Sequence, residues 1–169
     1  DDTTFKNNPP HEDQHAFRKD HSTETALSAA INNIERGMIA GDCVMSLFLD
    51  IKGAFDCICP YKIVEALELN GTSEIVLNWY SQYLQNRTCQ ITMGNVTINA
   101  NLVIGCPQGA CSSPPLGWSP GFGQLLIRWK AKTPPGTKAT GYADDGLVTS
   151  CGPDPDSVRQ NIQYALDIA

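Results

Sequence analysis

The chain has 169 residues, of which 41% are hydrophobic and 18% charged, and this composition fits one globular domain with a moderate core. Its apolar runs are far shorter than a membrane span, and the first residues lack the basic start and apolar stretch of a secretion signal. The net charge of −6 argues against a stand-alone nucleic-acid-binding protein, whose surface is normally basic. We therefore expect an intracellular chain, in the nucleus or the cytoplasm, or a piece of a larger protein.

The seven cysteines do not form a recognisable ligand or disulfide pattern. Their number is odd and they contain no C-x-x-C pair. Cys57 and Cys59 are two positions apart, but no second pair or nearby histidine completes a zinc set. We interpret the cysteines as reduced structural thiols, which is typical of intracellular proteins.

The N-terminal region begins with a polar stretch and continues into a helix. His11-Glu12-Asp13-Gln14-His15 could suggest a metal cluster, but a solvated turn is the better interpretation because no matching ligands follow. Ser22 is a suitable helix cap. Apolar residues at helical spacing then predict a helix over about 23–37, with Gly37 and Gly41 marking its end.

The next segment is an apolar run that ends in an acid. It predicts a strand over about 43–51, which is apolar on both faces and is therefore expected at the centre of a sheet. Asp50 closes this run, and an unpaired buried charge would be costly, so a functional role is favoured. Phe55 follows five residues later, and core packing and a functional role are both open for it.

The middle of the chain shows two helices and a hairpin. Pro60 and Ser73 are suitable starting residues for the two helices, and Asn70-Gly71 separates them. The second helix carries a stripe that we interpret as core: Ile75, Val76, Trp79, Tyr80, Tyr83 and Leu84. Two β-type runs around Gly94-Asn95 then predict a hairpin.

The C-terminal third combines an irregular stretch, an acidic hairpin and a helix. Prolines and glycines in 110–124 are expected to break any helix there. Gly141-Tyr142-Ala143-Asp144-Asp145 lies between two short β-type runs, so two carboxylates occupy the tip of a hairpin. Carboxylate oxygens are preferred by hard divalent cations, although acids are also common in plain turns. Asp154-Pro155 begins a last amphipathic helix.

Four stretches of the chain carry a joint pattern. They are residues 14–27, Phe48-Leu49-Asp50-Ile51-Lys52-Gly53-Ala54-Phe55-Asp56, Gly105-Cys106-Pro107-Gln108-Gly109 and Tyr142-Ala143-Asp144-Asp145. Together they resemble the reverse transcriptases of non-LTR retrotransposons. In that order they resemble the finger segment, the first catalytic motif, the nucleotide-pocket motif and the second catalytic motif of this family. Order and spacing match from about residue 11 to 169.

The resemblance implies an α+β fold, a polymerase palm-type antiparallel sheet backed by helices, with part of the fingers. Residues 1–41 would form the partial fingers segment and helix, and 42–169 the palm with both catalytic motifs. The thumb and further domains would belong to missing parts of the same polyprotein. The implied partners are an RNA template with a DNA primer and deoxynucleoside triphosphates, without a membrane.

The resemblance also implies the site residues. It assigns Asp50, Asp144 and Asp145 to catalysis, and Asp50, the backbone at Ile51 and Asp144 to two Mg²⁺ or Mn²⁺ ions. It places Phe55, Gln108, Gly109 and Arg18 at the nucleotide, with the Phe55 ring under the sugar, where it would exclude a 2′-hydroxyl. Asp56 would support the local fold by hydrogen bonding.

The chain departs from the family pattern at two places. The family usually continues after the Pro-Gln-Gly motif into an apolar helix, where this chain has the Pro- and Gly-rich residues 110–123. Gly146 follows Asp145 where the family usually has a larger residue. The alternative to a polymerase is therefore an inactive relic, or a repurposed nucleic-acid-binding module that keeps the palm fold. An unrelated Mg²⁺-dependent phosphotransferase fits the Cys106-Pro107-Gln108-Gly109 motif poorly.

Overall fold

A computed structural model describes residues 10–69, 71–109 and 119–169, with the backbone alone at 119 and 120. In chain order the elements are α1 (Thr23–Ala40), β1 (Cys43–Leu49), α2 (Ala54–Cys57), α3 (Pro60–Leu69), α4 (Glu74–Leu84), β2 (Arg87–Met93), β3 (Val96–Leu102), α5 (Ser119–Lys132), β4 (Thr137–Tyr142), β5 (Asp145–Gly152) and α6 (Pro155–Ile168). Helices combined with antiparallel strands confirm the α+β class. None of these described helices is both long and apolar enough to cross a membrane.

The chain divides into two compact units. One comprises the described part of Gly53–Gly121, and the other the described part of Pro9–Lys52 together with Phe122–Ala169. We call them the hairpin unit and the sheet unit, and we describe each by itself. The division into fingers at 1–41 and palm at 42–169 stays a prediction.

The sheet unit contains three antiparallel strands in the order β1-β5-β4. The prediction that the first strand is central was wrong, because β5 occupies the middle and β1 pairs with β5 alone among the described residues. Phe48 on β1 is 76% exposed, whereas Val148 on β5 is fully buried. An apolar run has the same appearance in a central strand and in a strand with one open side, so the sequence pattern did not separate the two.

Helices α1 and α6 both pack on this sheet. Asp154 caps α6 as predicted, since its carboxylate accepts a hydrogen bond of 2.8 Å from the Ser157 N–H. This hydrogen bond lowers the pKa of Asp154. The indole Nε1 of Trp129 on α5 donates to the Ala165 carbonyl of α6 at 2.8 Å, so the two helices are joined by a buried polar contact.

Helix α1 is three residues longer than predicted. Ser22 caps it through reciprocal hydrogen bonds with Thr25, and Gly41 ends it with φ of 79°. Gly37 does not end the helix. A Cβ at Gly37 would lie 2.6 Å from the Cys151 Sγ, so this glycine lets the helix approach β5 closely.

The hairpin unit has its core between α3 and α4. Its buried members are Ile63, Leu67, Tyr80, Leu84 and Cys106. The predicted hairpin around Gly94-Asn95 is confirmed as β2 paired with β3.

The prediction that the aromatic stripe of α4 is entirely core was partly wrong. Tyr80 and Leu84 are buried, but Trp79 is 53% exposed and Ile75 is 83% exposed. The stripe is wider than the surface of α3 that covers it. Ser73 stands at the N-cap of α4 as predicted, although its side chain makes no capping hydrogen bond.

The predicted helix break over 110–124 was wrong for its last residues. Helix α5 begins at Ser119 and continues through Pro120, Gly121 and Gly123. A proline in the first turn removes only an N–H that would have no helical partner, so it is tolerated there. The rest of the predicted break, 110–118, lies outside the described residues.

A pair of glycines accommodates a ring of α5. Gly141 of β4 and Gly146 of β5 are directly paired. A Cβ at Gly141 would lie 2.6 Å from the Phe122 Cε1, and one at Gly146 would lie 3.3 Å from the Phe122 Cζ. Phe122 is 4% exposed, so its ring is buried against the backbone of this pair. The packing gives a physical reason for the small residue after Asp145.

We expect Gly141→Ala to destabilise the sheet unit by about 1–3 kcal/mol, because the added methyl group overpacks the Phe122 ring. Urea unfolding of the variant measures this loss, and adding Phe122→Leu should restore part of it. Gly121→Ala is the control, since a Cβ at this exposed helical glycine meets nothing within 4 Å. Parent stability in Gly141→Ala would contradict the packing described here.

Candidate active site

The three predicted catalytic acids lie at one end of the three-stranded sheet. Asp50 directly follows Leu49, the last residue of β1, which pairs with Gly146 of β5. Asp145 precedes Gly146, so it stands level with Asp50 across the two strands. Asp144 lies in the two-residue loop between β4 and β5, after the pair of Tyr142 and Asp145.

The carboxylates at this end are accessible. Asp50 and Asp145 are exposed and Asp144 is half-buried. Among the described residues, none forms a hydrogen bond or salt bridge with any of the three carboxylates. The prediction that Asp50 closes a buried strand was therefore wrong, because this strand end is open. Its carboxylate escapes the cost of burial, and it can bind a cation from solution.

The donor set suits a cation that is only partly held by protein. Within the described part of the chain, no three carboxylate, imidazole or thiol groups are arranged to hold one metal ion together. Mg²⁺ normally keeps several waters and is bound by one or two carboxylates plus substrate phosphates. Asp50 and Asp144 supply two carboxylates of this chemistry at the same end of the sheet, and the Ile51 backbone follows Asp50 directly.

The loop that carries Asp144 has an unusual backbone. Ala143 has φ of 56°, in the left-handed region. This region costs a residue with a side chain about 1 kcal/mol or more. The surrounding structure must therefore hold the residue before Asp144 in place.

The N-terminal residues 13–16, which we call the clamp segment, lie against this loop. The Gly141 N–H donates to the Asp13 carbonyl at 2.7 Å, and the His15 N–H donates to the Gly141 carbonyl at 2.8 Å. Gln14 thereby forms a parallel bridge with Gly141 and is fully buried. The prediction of a solvated turn was wrong for Gln14, because its bridge partner Gly141 is about 130 positions away and leaves no local sequence signal.

One side chain of the clamp segment and one beyond it make further contacts to nearby residues. His15 Nδ1 lies 2.9 Å from the Thr25 hydroxyl, and burial together with the nearby His21 lowers the pKa of His15. Arg18 Nη1 donates to the carbonyls of His11 and Glu12 at 3.1 and 2.8 Å. In this structure the Arg18 guanidinium therefore braces the N-terminal backbone. Its assignment to the nucleotide stays a prediction.

The predicted nucleotide-pocket residues lie in the hairpin unit, where two stretches distant in sequence meet. The Cys106 N–H donates to the Phe55 carbonyl at 2.6 Å, and the Gly105 N–H donates to the Ile58 carbonyl at 2.8 Å. A Cβ at Gly105 would lie 3.0 Å from the Asp56 carbonyl oxygen, so a glycine permits this contact.

Core packing and a hydrogen bond constrain the side chains at this junction. The ring of Phe55 is half-buried and packs against the core of the hairpin unit. The amide Nε2 of Gln108 donates to the Asp56 carboxylate at 2.8 Å, and Gln108 is exposed. Gly109 follows with φ of 80°. The structure thus brings Phe55, Asp56 and Gln108 together within one unit.

The combination of helices and antiparallel strands is consistent with a partial palm and fingers fold of a polymerase. The chain matches the family "Reverse transcriptase (RNA-dependent DNA polymerase)" over residues 3–167, and it belongs to this family. It is 30% identical over 135 residues to the "Putative 115 kDa protein in type-1 retrotransposable element R1DM" of Drosophila melanogaster. The match covers 80% of the chain and 12% of that curated relative. These similarities confirm the resemblance to reverse transcriptases of non-LTR retrotransposons.

Proposed function

We propose that this chain is the polymerase core of an RNA-directed DNA polymerase, which extends a DNA primer on an RNA template with deoxynucleoside triphosphates. The observation that carries the proposal is the position of Asp50, directly after β1, and Asp144, in the loop between β4 and β5, since both carboxylates lie at the same end of the sheet and neither is buried. Family membership over 3–167 supports the same reaction class.

Asp50, the Ile51 carbonyl and Asp144 would hold two Mg²⁺ or Mn²⁺ ions, with Asp145 beside them. Such ions lower the pKa of the primer 3′-hydroxyl and neutralise charge on the triphosphate. The hydroxyl oxygen forms a bond to the α-phosphorus, the bond to the bridging oxygen breaks, and pyrophosphate leaves. The hydroxyl proton passes to solvent. The acids would position the ions, because the strands and the loop hold these side chains in place before the nucleotide binds.

Phe55, Gln108 and Gly109 would contact the nucleotide, and Arg18 would lie near the template or the triphosphate. The hydrogen bond to Asp56 supports a directional role for Gln108, since it fixes the orientation of an exposed amide. The packing of Phe55 against the core supports a wall under the sugar, because these contacts restrict the movement of the ring. A rigid wall discriminates against a 2′-hydroxyl better than a mobile side chain.

The alternative of a relic or repurposed binding module rested on the expected helix break after the Pro-Gln-Gly motif. Helix α5 is formed from Ser119 onward, and Phe122 of this helix is buried against the catalytic hairpin. Within the described residues, the strands on both sides of the Asp144 loop are therefore packed against a formed helix. The polymerase is the function that we favour.

Primer extension on a poly(rA)–oligo(dT) template with Mn²⁺ tests the proposal. Asp144→Asn should lower extension about a hundredfold or more, because each bound cation contributes several kcal/mol to transition-state stabilisation. Asp156→Asn on α6 is the matched control, since it removes the same charge from an exposed residue of the same unit. Equal extension by the parent and Asp144→Asn would refute the assignment.

Phe55→Ala should relax sugar selection. Loss of the ring opens space for a 2′-hydroxyl, so the ratio of ribonucleotide to deoxynucleotide incorporation should rise about tenfold or more. Tyr83→Ala is the control, because Tyr83 packs half-buried against the same core. A similar ratio in both variants would mean that Phe55 acts only in packing.

A further inference from the structure

The Gln14 side chain makes two hydrogen bonds to the loop of Ala143 and Asp144 between β4 and β5, which we call the catalytic loop. Its Oε1 accepts a hydrogen bond of 3.0 Å from the Ala143 N–H, and its Nε2 donates one of 3.0 Å to the Ala143 carbonyl. The same Oε1 accepts a third hydrogen bond of 3.0 Å from the Ala16 N–H. The side-chain amide therefore binds both polar backbone groups of the residue directly before Asp144, as a neighbouring strand would.

Burial makes this contact strong. Gln14 is fully buried, and a buried amide without partners is costly, so its three hydrogen bonds fix one orientation of the side chain. The backbone around it is fixed as well, since Asp13 and His15 are hydrogen-bonded to Gly141. A Cβ at Gly141 would lie 3.3 Å from the Gln14 Nε2, so the glycine also leaves room for the amide.

The contact is made at the residue of the loop whose backbone conformation is unfavourable. Ala143 is held at φ of 56°, and a side chain disfavours this conformation. Released from Gln14, the Ala143 peptide could rotate to a more favourable region, and Asp144 would move with it. Displacements of about 1 Å at a reacting centre can lower rates about a hundredfold.

We propose that Gln14 is a positioning residue for the polymerase reaction: its amide fixes the Ala143 peptide and thereby the direction of the Asp144 carboxylate. The inference rests on the proposed function, because it gives Gln14 a role in that reaction. Gln14 touches neither nucleotide nor metal in this role and acts only through the loop backbone.

The test compares Gln14→Met, which keeps the side-chain length and removes all three hydrogen bonds, with the parent chain. Extension of poly(rA)–oligo(dT) is measured with Mn²⁺ at a temperature where both are folded. We expect kcat to fall about ten- to hundredfold with the KM for deoxythymidine triphosphate little changed. Hydrogen exchange at the Ala143 amide should accelerate in the same variant, because the hydrogen bond from that N–H to the Gln14 Oε1 is removed.

Thr137→Val is the matched control. Thr137 is a buried polar residue on the same strand, and its hydroxyl donates to the Ser150 hydroxyl at 3.1 Å, at the far end of β4 from the loop. We expect it to lower stability while kcat stays within about twofold of the parent, since the catalytic loop keeps its contacts. If Gln14→Met fails to fold, Gln14→Asn is measured instead. It keeps a neutral amide at the buried position, but its side chain is one methylene too short to make the same pair of hydrogen bonds to Ala143.

A rescue separates positioning from general stability. Ala143→Gly removes the conformational penalty of positive φ, so it should restore part of the kcat lost in Gln14→Met. Parent kcat in Gln14→Met, or an equal loss in Thr137→Val, would overturn the inference while the proposed function stands. A parent whose extension survives Asp144→Asn would overturn the proposed function and this inference with it.

Discussion

One row of backbone pairing across the sheet unit determines where Asp50, Asp144 and Asp145, the acids proposed as catalytic, lie. Leu49 pairs with Gly146, Gly146 with Gly141, and Gly141 with Gln14. The acids stand one residue beyond this row on β1 and β5 and in the loop beyond β4. Because side chains alternate along a strand, a slip of one residue on β1 or β5 would turn its acid to the opposite face. The register of this row is therefore the constraint on which the site depends.

The two glycines in this row leave room for larger side chains to pack against its backbone. Gly141 and Gly146 have no side chains, so the Phe122 ring is buried directly against their backbone. The amide of Gln14 uses the same space at Gly141 to reach Ala143. The aromatic ring stabilises the row by hydrophobic burial, which has no preferred direction, whereas the amide forms hydrogen bonds, which do. Together they can hold a loop whose own backbone geometry is unfavourable.

The features that the sequence revealed are those with local signals. The acidic hairpin and the start of the last helix at Asp154-Pro155 each follow from a few adjacent residues, and the structure contains both. Of the two glycines predicted to stop the first helix, Gly41 does so. The acids were assigned by resemblance to a family, because two carboxylates in a turn are not specific by themselves. Their metal-binding and catalytic roles stay predictions.

The features that the sequence did not reveal depend on distant partners. The central place of β5, the close approach at Gly37 and the burial of Gln14 each involve residues about 100 or more positions apart. A polar residue such as Gln14 is usually exposed, so composition favoured the wrong environment. Its burial becomes understandable only when the loop that it binds is known.

The central claim is that the end of β1 and the loop between β4 and β5 form one shared cation site. The most direct test is whether a single cation affects residues of both segments together. Mn²⁺ can be titrated into the chain while amide signals are followed by NMR, since the ion broadens signals from nearby nuclei. The account predicts that the Ile51, Asp144 and Asp145 amides broaden together at low Mn²⁺, and that Asp144→Asn weakens the effect at all three. Broadening at only one strand end, or no change in the variant, would contradict a shared site at this end of the sheet.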